Sequence, residues 1–148
     1  MPRGKGVNMS KYEGIFFKLE VLEKVIEKAN CGKRLAKKIE RPHVTTAFNP
    51  ASPSTGYKIG ERVPVTVIGY GNDGRNEGFL VALPTGKPCC NKQPHITVSI
   101  ALDGKAVDTG GLKFYPIDPI EIEGRFGYFN GKELIGGCKI LIHSLTPV

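Results

Sequence analysis

Pro42-His43-Val44-Thr45 and Pro94-His95-Ile96-Thr97 are two copies of one pattern: proline, histidine, an aliphatic residue and threonine. Each copy lies in a stretch that is typical of a β-strand, Val44 to Phe48 and Ile96 to Leu102. Residues i and i+2 of a strand point to the same face of a sheet. The pattern therefore predicts that the histidine and the threonine of each copy project together. The chain thus carries the same imidazole and hydroxyl pair twice.

These residue types fit the cleavage of a phosphodiester. Metal-free hydrolysis needs one group to take a proton from water and another to protonate the leaving oxygen. Histidine suits both roles because its ordinary pKa is near neutral. Threonine hydroxyls can donate hydrogen bonds to the phosphoryl oxygens, where charge builds in the transition state. We therefore expect His43 and His95 to be catalytic, and Thr45 and Thr97 to bind the substrate phosphate.

The doubling of the motif carries this argument. A single His-x-Thr is weak evidence, because threonine is common in strands and a histidine is often a structural residue. Both copies here share a preceding proline and an aliphatic residue between the two functional groups. His143 is the third of three histidines and has Leu145 two positions later instead of a hydroxyl residue. We expect His143 to have no catalytic role.

The doubled motif resembles the two-histidine (2H) phosphoesterase superfamily, whose signature is two His-x-Thr/Ser motifs on strands of two similar lobes. An aromatic first strand, Gly14-Ile15-Phe16-Phe17-Lys18-Leu19, and a following helix precede the first motif, as they do in that superfamily. The stretch from Pro94 through Lys105-Ala106-Val107-Asp108 to Leu112 is similar to the cyclic phosphodiesterase domain of tRNA ligases. The resemblance covers residues 12 to about 130.

The resemblance implies a metal-independent phosphodiesterase without a cofactor. It would open a 2′,3′-cyclic phosphate, at an RNA end or on a nucleotide, and leave a 2′-phosphate. Related enzymes act on 2′-5′ oligoadenylates, cyclic ADP-ribose phosphates or cyclic dinucleotides, and the motifs do not separate these alternatives. A different class, a non-catalytic RNA-binding module, also stays open. It predicts aromatic side chains exposed on a sheet, for which Phe16, Tyr70 and Tyr128 are available.

Two helices are predicted before the first motif. From Glu20 onward, apolar residues follow the spacing of one helix face, with Gly32 as the C-terminal cap. Leu35, Ala36 and Ile39 predict a further short helical stretch. The segment 46–93 between the motifs is rich in glycine and proline and shows no amphipathic helix.

We expect an α+β fold with a flexible basic tail, residues 1–11, and one domain, residues 12–148. The predicted architecture is a compact 2H phosphoesterase-like fold. It has a curved, mostly antiparallel sheet with the N-terminal helices packed outside. Both motif strands lie at a central cleft.

The charge of the chain favours an anionic partner. Twenty-one Lys and Arg against fourteen Asp and Glu give a formal net charge of +7. The cations Lys33, Arg34, Lys37 and Lys38 come just before the first motif. The loop 49–61 offers Tyr57 and Lys58 as candidate substrate contacts, and Ser99 is a third candidate in the stretch of the second motif.

Several features indicate where the protein works. No apolar run approaches membrane-spanning length, and the first residues lack the apolar core of a signal peptide. The four cysteines show neither a disulfide framework nor zinc spacing, and Cys89 and Cys90 are adjacent. We expect a cytoplasmic monomer with free thiols, soluble and not attached to a membrane.

Overall fold

Antiparallel pairing joins the strands of this chain into a closed barrel. The computed structural model describes residues 11–48 and 56–137. Strands β1, β3, β6, β5, β4 and β7 follow one another around the ring, and β7 pairs with β1 to close it. The short strands β2 and β8 extend the sheet from β6 and β7. The elements are β1 (Lys11–Phe16), α1 (Leu19–Ala29), β2 (Lys37–Lys38), β3 (His43–Phe48), β4 (Arg62–Asn72), β5 (Asn76–Ala82), β6 (His95–Ile100), a 3₁₀ helix (Ala106–Gly111), β7 (Tyr115–Asn130) and β8 (Leu134–Gly136).

The apolar core can be followed from strand to strand. Ile15 is opposite Val44, Val44 is opposite Ile96, and Ile96 is opposite Phe79. Each of these four side chains is at most 1% exposed. Because side chains alternate along a strand, the residues that flank Val44 and Ile96 point away from this core. The core thus fixes which face carries the histidines.

Helix α1 forms where the apolar spacing predicted it, and Leu22 and Val25 are buried in the core. It ends at Asn30, which has the left-handed conformation with φ 56°. The amide of Asn30 donates to the Glu27 carbonyl, and the amide of Cys31 donates to the Ile26 carbonyl. Gly32 is therefore not the cap, because asparagine already tolerates this conformation two residues earlier.

The second predicted helix is wrong, because residues 35–39 extend the sheet instead. Lys37 and Lys38 form β2, opposite Ile100 and Ser99. On either side of β2, the Leu35 amide donates to the Ser99 hydroxyl (2.9 Å) and the Ile39 amide to the Val98 carbonyl (3.0 Å). Partners distant in sequence satisfy this backbone, so the helical spacing does not decide its conformation.

The sequence predicts two strands, Ile120 to Glu123 and Arg125 to Phe129, on either side of Gly124. In the structure both belong to one strand, β7. A Cβ atom at Gly124 would lie 2.7 Å from the Phe16 carbonyl oxygen. The glycine marks a close approach between β7 and β1, a use of glycine that looks like a strand break in sequence. The turn sequence Gly71-Asn72-Asp73-Gly74, between apolar stretches, predicts a hairpin. The antiparallel pairing of β4 with β5 confirms it.

The prediction of a mostly antiparallel sheet with helical elements is confirmed, and the sheet curves far enough to close on itself. Lys11, which the sequence places in the tail, begins β1. The rest of the predicted tail, residues 1–10, lies outside the described residues, as do Cys138 and His143. The sequence also predicts a last strand after Asn130-Gly131, through Ile142, and its part beyond Gly137 lies outside the described residues as well. Cys31, Cys89 and Cys90 are free thiols. Within the described ranges, every helix is too short or too polar to cross a membrane.

Candidate active site

The pairing of β3 with β6 brings the two motifs together. Val44 is directly opposite Ile96. In an antiparallel pair this register puts His43 beside Thr97 and Thr45 beside His95, all four on the face away from the core. Each histidine is therefore next to the threonine of the other motif, and the two histidines are diagonal to each other. The arrangement has an approximate local twofold axis between Val44 and Ile96.

These four side chains line one cavity of about 470 Å³. The sequence-predicted catalytic and phosphate-binding residues are thus gathered in one place. Tyr12, Phe48 and Phe129 supply aromatic surface to the same cavity. Among the described residues that line it, none is Lys, Arg, Asp or Glu. Polarity in the lining comes mainly from imidazole, hydroxyl and amide groups.

The two imidazoles are held in the same way, each by its own hydrogen bond to a backbone carbonyl two residues earlier. His43 Nδ1 donates to the Arg41 carbonyl at 2.9 Å, and His95 Nδ1 donates to the Gln93 carbonyl at 2.7 Å. A carbonyl oxygen can only accept, so each Nδ1 carries a proton. In the neutral ring this leaves Nε2 with the lone pair, as the atom that can take up and release a proton.

The repeated proline has a structural role in this frame. The carbonyl of Pro42 accepts from the Phe17 amide at 3.0 Å, and the carbonyl of Pro94 accepts from the Val81 amide at 2.9 Å. The carbonyl of each proline thus connects its motif to a neighbouring segment. The fixed φ of the proline also keeps the preceding carbonyl in position to accept from the histidine Nδ1. The sequence showed the repeat, and this pair of hydrogen bonds explains it.

The surroundings of His43 disfavour its charged form. Its ring stacks on Tyr12, with centroids 4.8 Å apart, and lies 5.2 Å from the ring of Phe16. The pKa of His43 is lowered to about 4, mainly by burial. The charges of His95 and Arg41 add to this effect, and the hydrogen bond to the Arg41 carbonyl opposes it. Near neutral pH, His43 is therefore a neutral base.

His95 lies in a different environment. A Cβ atom on Gly110 would lie 3.1 Å from its Cε1 atom, so the backbone of the 3₁₀ helix lies close against the ring. Gln93, whose carbonyl holds His95, also donates from its side chain to the carbonyls of Gly110 (2.9 Å) and Leu112 (3.2 Å). Burial lowers the pKa of His95, and the hydrogen bond to Gln93 opposes this effect.

Thr97 is positioned by a buried relay that sequence reasoning missed. Its hydroxyl is 2.9 Å from the hydroxyl of Thr109, which accepts a hydrogen bond from the Asn76 amide at 3.0 Å. Asn76 and Thr109 are almost fully buried. Gly78 makes room, because a Cβ atom there would lie 2.5 Å from the Thr109 methyl group. The described residues offer no such partner to the Thr45 hydroxyl.

The other candidate contacts lie away from this cavity. Ser99 is fully buried and donates to Glu77 at 2.7 Å, which corrects the prediction that it contacts substrate. Tyr57 donates to the Pro88 carbonyl and stacks on Phe126 in the core. Lys58 and Tyr57 line a separate cavity with Lys87, which pairs with Glu61.

The cations before the first motif also lie outside the catalytic lining. Arg34 pairs with the buried Glu77 at 2.9 Å, and Lys37 and Lys38 are exposed on β2. A cleft of about 520 Å³ between α1 and β7 is lined by five cations and two carboxylates, and none of the motif residues belongs to it. The imidazoles and hydroxyls converge at the smaller cavity, which is therefore the candidate active site.

No three His, Cys, Asp or Glu side chains converge on a metal-binding arrangement within residues 11–48 and 56–137. The prediction of metal-free chemistry stays a prediction for experiment to test.

Comparisons of the chain with protein-family models, with curated proteins and with solved structures found no match in any of the three. The resemblance to the two-histidine phosphoesterases rests on the doubled motif and stays a prediction.

Proposed function

We propose that this protein is a metal-independent phosphodiesterase of the two-histidine type, which opens a 2′,3′-cyclic phosphate at an RNA end or on a nucleotide. One observation carries the proposal: Val44 is opposite Ile96. That register gathers two histidines and two threonines in one cavity, with each histidine anchored through Nδ1. The proposed fold is a closed, compact form of the two-lobed fold of that superfamily.

The chemistry follows from the diagonal placement of the histidines. One imidazole takes a proton from water as the water oxygen bonds to phosphorus. The bond from phosphorus to the 3′-oxygen breaks, and the other imidazole gives its proton to that oxygen. The hydroxyls of Thr45 and Thr97 donate to the non-bridging oxygens, where charge accumulates. The product is a 2′-phosphate.

The surroundings of the two histidines support an assignment of roles. His43 lies between aromatic rings and close to the Arg41 guanidinium, so the neutral form required of a base is favoured there. At His95 burial lowers the pKa and no neighbouring charge adds to that effect, so the protonated form is less disfavoured than at His43. We assign His43 as the base and His95 as the acid.

A leaving group that needs no proton tests this assignment. Bis(p-nitrophenyl) phosphate releases a weakly basic phenolate, so His95→Ala should retain much more of the wild-type activity on it than His43→Ala does. The opposite order would exchange the two roles. The pH profile is a second check. Because the pKa values of both histidines are lowered, kcat/KM should be bell-shaped with its maximum below pH 6.5.

The function itself is tested by incubating the protein with adenosine 2′,3′-cyclic phosphate and identifying the product by phosphorus NMR. We expect adenosine 2′-phosphate, formed at an undiminished rate after exhaustive EDTA treatment. Activity that EDTA abolishes and a divalent ion restores would overturn the metal-free mechanism. Turnover of 2′-5′ oligoadenylates, cyclic ADP-ribose phosphates or cyclic dinucleotides in place of this substrate would favour those alternatives.

The RNA-binding module has weaker support. Of its three candidate stacking residues, Phe16 is fully buried, and the Tyr70 hydroxyl donates to the buried carboxylate of Glu77 at 2.5 Å. Tyr128 is half-buried on β7. These residues do not form the exposed aromatic sheet surface that base stacking requires. Salt-sensitive RNA binding without turnover of any cyclic phosphate or 2′-5′ linkage would restore this alternative.

A further inference from the structure

Cations without ion-pair partners surround the cleft of about 520 Å³ between α1 and β7. Five cations and two carboxylates line it, so its lining has a formal excess of three positive charges. The cations are Lys18, Lys24, Lys28, Arg62 and Arg125. Within the described parts of the chain, the salt bridges join other residues, and none of these five takes part in one. We call this site the cationic cleft.

Two of these cations are directly opposite each other on neighbouring strands. Arg62 of β4 pairs in register with Arg125 of β7. Like charges at directly opposite positions destabilise a sheet. Arg125 Nη1 donates to the Gly60 carbonyl at 3.2 Å, which positions the guanidinium and leaves its charge uncompensated. An anion bound beside the two guanidinium groups would relieve this repulsion.

The cationic cleft also has an apolar floor. Val21 and Val25 of α1 and Ile120 and Ile122 of β7 line it, and all four belong to the apolar core or pack against it. The lysines of α1 lie on the same side of the helix as these valines, whereas the acidic residues of α1 do not line the cleft. The cleft therefore combines aliphatic side chains at its base with exposed cations at its rim.

These properties select among anionic ligands. A carboxylate or a cyclic phosphate has one negative charge and cannot balance an excess of three. A triphosphate carries about three to four negative charges near neutral pH, because its terminal phosphate approaches two. The volume of the cleft is typical of sites for one small molecule, roughly 300–1,000 Å³. An apolar floor favours a ligand that has apolar surface to bury, and an inorganic polyphosphate has none.

We propose that the cationic cleft is a second ligand site, which binds a nucleoside triphosphate. Its phosphates contact the lysines of α1 and the pair Arg62 and Arg125, and its nucleoside covers the aliphatic floor. Among the described residues, the linings of this cleft and of the candidate active site share no member. The inference therefore does not rest on the proposed function. Aliphatic contacts read no base edge, so the cleft should accept different bases.

Calorimetric titration with ATP, tripolyphosphate and adenosine tests the inference. EDTA is present, so that no divalent ion neutralises the phosphates. We expect ATP to bind and adenosine alone to bind far more weakly, because adenosine lacks the charge. Tripolyphosphate should bind at least about tenfold more weakly than ATP, since burial of about 60 Å² of apolar surface is enough for that difference. Added salt should weaken the binding of ATP.

A double variant locates the binding. Lys24→Gln with Lys28→Gln removes two exposed cations of the rim and should weaken ATP binding by at least about tenfold, the effect of one lost charged hydrogen bond. Lys37→Gln with Lys38→Gln is the matched control. It removes the same charge from two exposed residues of β2 that do not line the cleft, and it should bind ATP like the wild type.

Several results would overturn the inference. ATP that does not bind, or binds equally in both double variants, would exclude the cationic cleft as its site. Equal affinities for ATP and tripolyphosphate would show that the nucleoside does not contact the floor. An oligoadenylate of ten nucleotides that binds more tightly than ATP, through the same lysines, would assign the cleft to RNA instead. All of these are binding measurements, so the inference can fail while the cleavage of cyclic phosphates stands, and the reverse.

Discussion

The two motifs share one backbone frame and differ in what surrounds it. In each, the carbonyl before the proline holds the histidine Nδ1, and the carbonyl of the proline ties the motif to a neighbouring segment. The first motif lies under the rings of Tyr12 and Phe16. The second lies under the backbone of the 3₁₀ helix. A repeat in sequence thus sets equivalent geometry, while unrepeated neighbours give the two imidazoles different chemistry.

The largest expected effect is the loss of either motif histidine, and it should be similar for the two motifs. His43→Ala and His95→Ala should each lower kcat for the cyclic phosphate by at least about a hundredfold, as expected when one proton-transfer group is lost. The double variant should be little worse than the poorer single variant, because the two groups act in one step. Single-turnover rates measure this, and His143→Ala serves as the control. Full activity in either folded single variant would show that the frame is structural.

Removing the threonine hydroxyls should have a smaller effect on the rate than removing the imidazoles, and the size of the effect should differ between the two motifs. Thr45→Val and Thr97→Val keep the strand shape and remove the donor, so each should lose about 1 to 3 kcal/mol of transition-state stabilisation, mainly in kcat. Thr97→Val should lose more, because Thr109 fixes the position of the Thr97 hydroxyl. Thr97 donates to Thr109 in this structure, and a reversal of that hydrogen bond, with Thr109 as the donor, directs the Thr97 proton to the phosphate. Thr66→Val, on the exposed face of β4, is the matched control. Lower folding stability with unchanged kinetics would assign both threonines to the sheet alone.

The pH dependence of stability should distinguish the histidines as well. The pKa of His43 falls from 6.5 to about 4 on folding. Between these values the unfolded chain binds a proton that the folded chain does not, so the free energy of unfolding should decrease as pH falls through this window. The slope is at most about 1.4 kcal/mol per pH unit.

Urea denaturation at several pH values measures the effect of His43, and His43→Gln should remove it. Comparing the variant with the wild type cancels the contribution of the carboxylates, which titrate in both proteins. His95→Gln should change the slope less, because only burial lowers the pKa of His95, whereas the charges of His95 and Arg41 add to burial at His43. A wild-type slope that survives in His43→Gln would contradict the proposed burial of this ring.

The smallest effect concerns the relay behind Thr97. Thr109→Val should cost about 1 kcal/mol of transition-state stabilisation, the net value of one neutral hydrogen bond, and this loss should appear in kcat. Thr109→Ser should restore kcat. In a Thr97→Val background the same change should have no further effect on kcat, because Thr109 acts through Thr97. Equal losses in both backgrounds would assign Thr109 a role in folding only.

The sequence was enough to predict that the four motif residues share one face, because side chains two positions apart in a strand project to the same side. It did not show that β1 would pair with β7 and close the barrel, since that contact joins residues more than a hundred positions apart. The predicted helix at Leu35–Ile39 failed for the same reason, because its backbone is satisfied by β6. The sequence also did not show which face Phe48 occupies, because Thr46 is the extra residue of a β-bulge. The bulge reverses the alternation of side chains after Thr45.

The described lining of the candidate cavity contains no lysine, arginine or carboxylate side chain, and this has a consequence for repeated turnover. A cyclic phosphate carries one negative charge, whereas the ring-opened monoester approaches two near neutral pH, because its second pKa is about 6. In the proposed reaction one imidazole stays protonated and balances one negative charge, whereas no described lysine or arginine lines the cavity to balance a second. For the proposed reaction, the product is therefore held less tightly than the substrate. Escape of the monoester should not limit the rate, and accumulated product should inhibit the enzyme weakly.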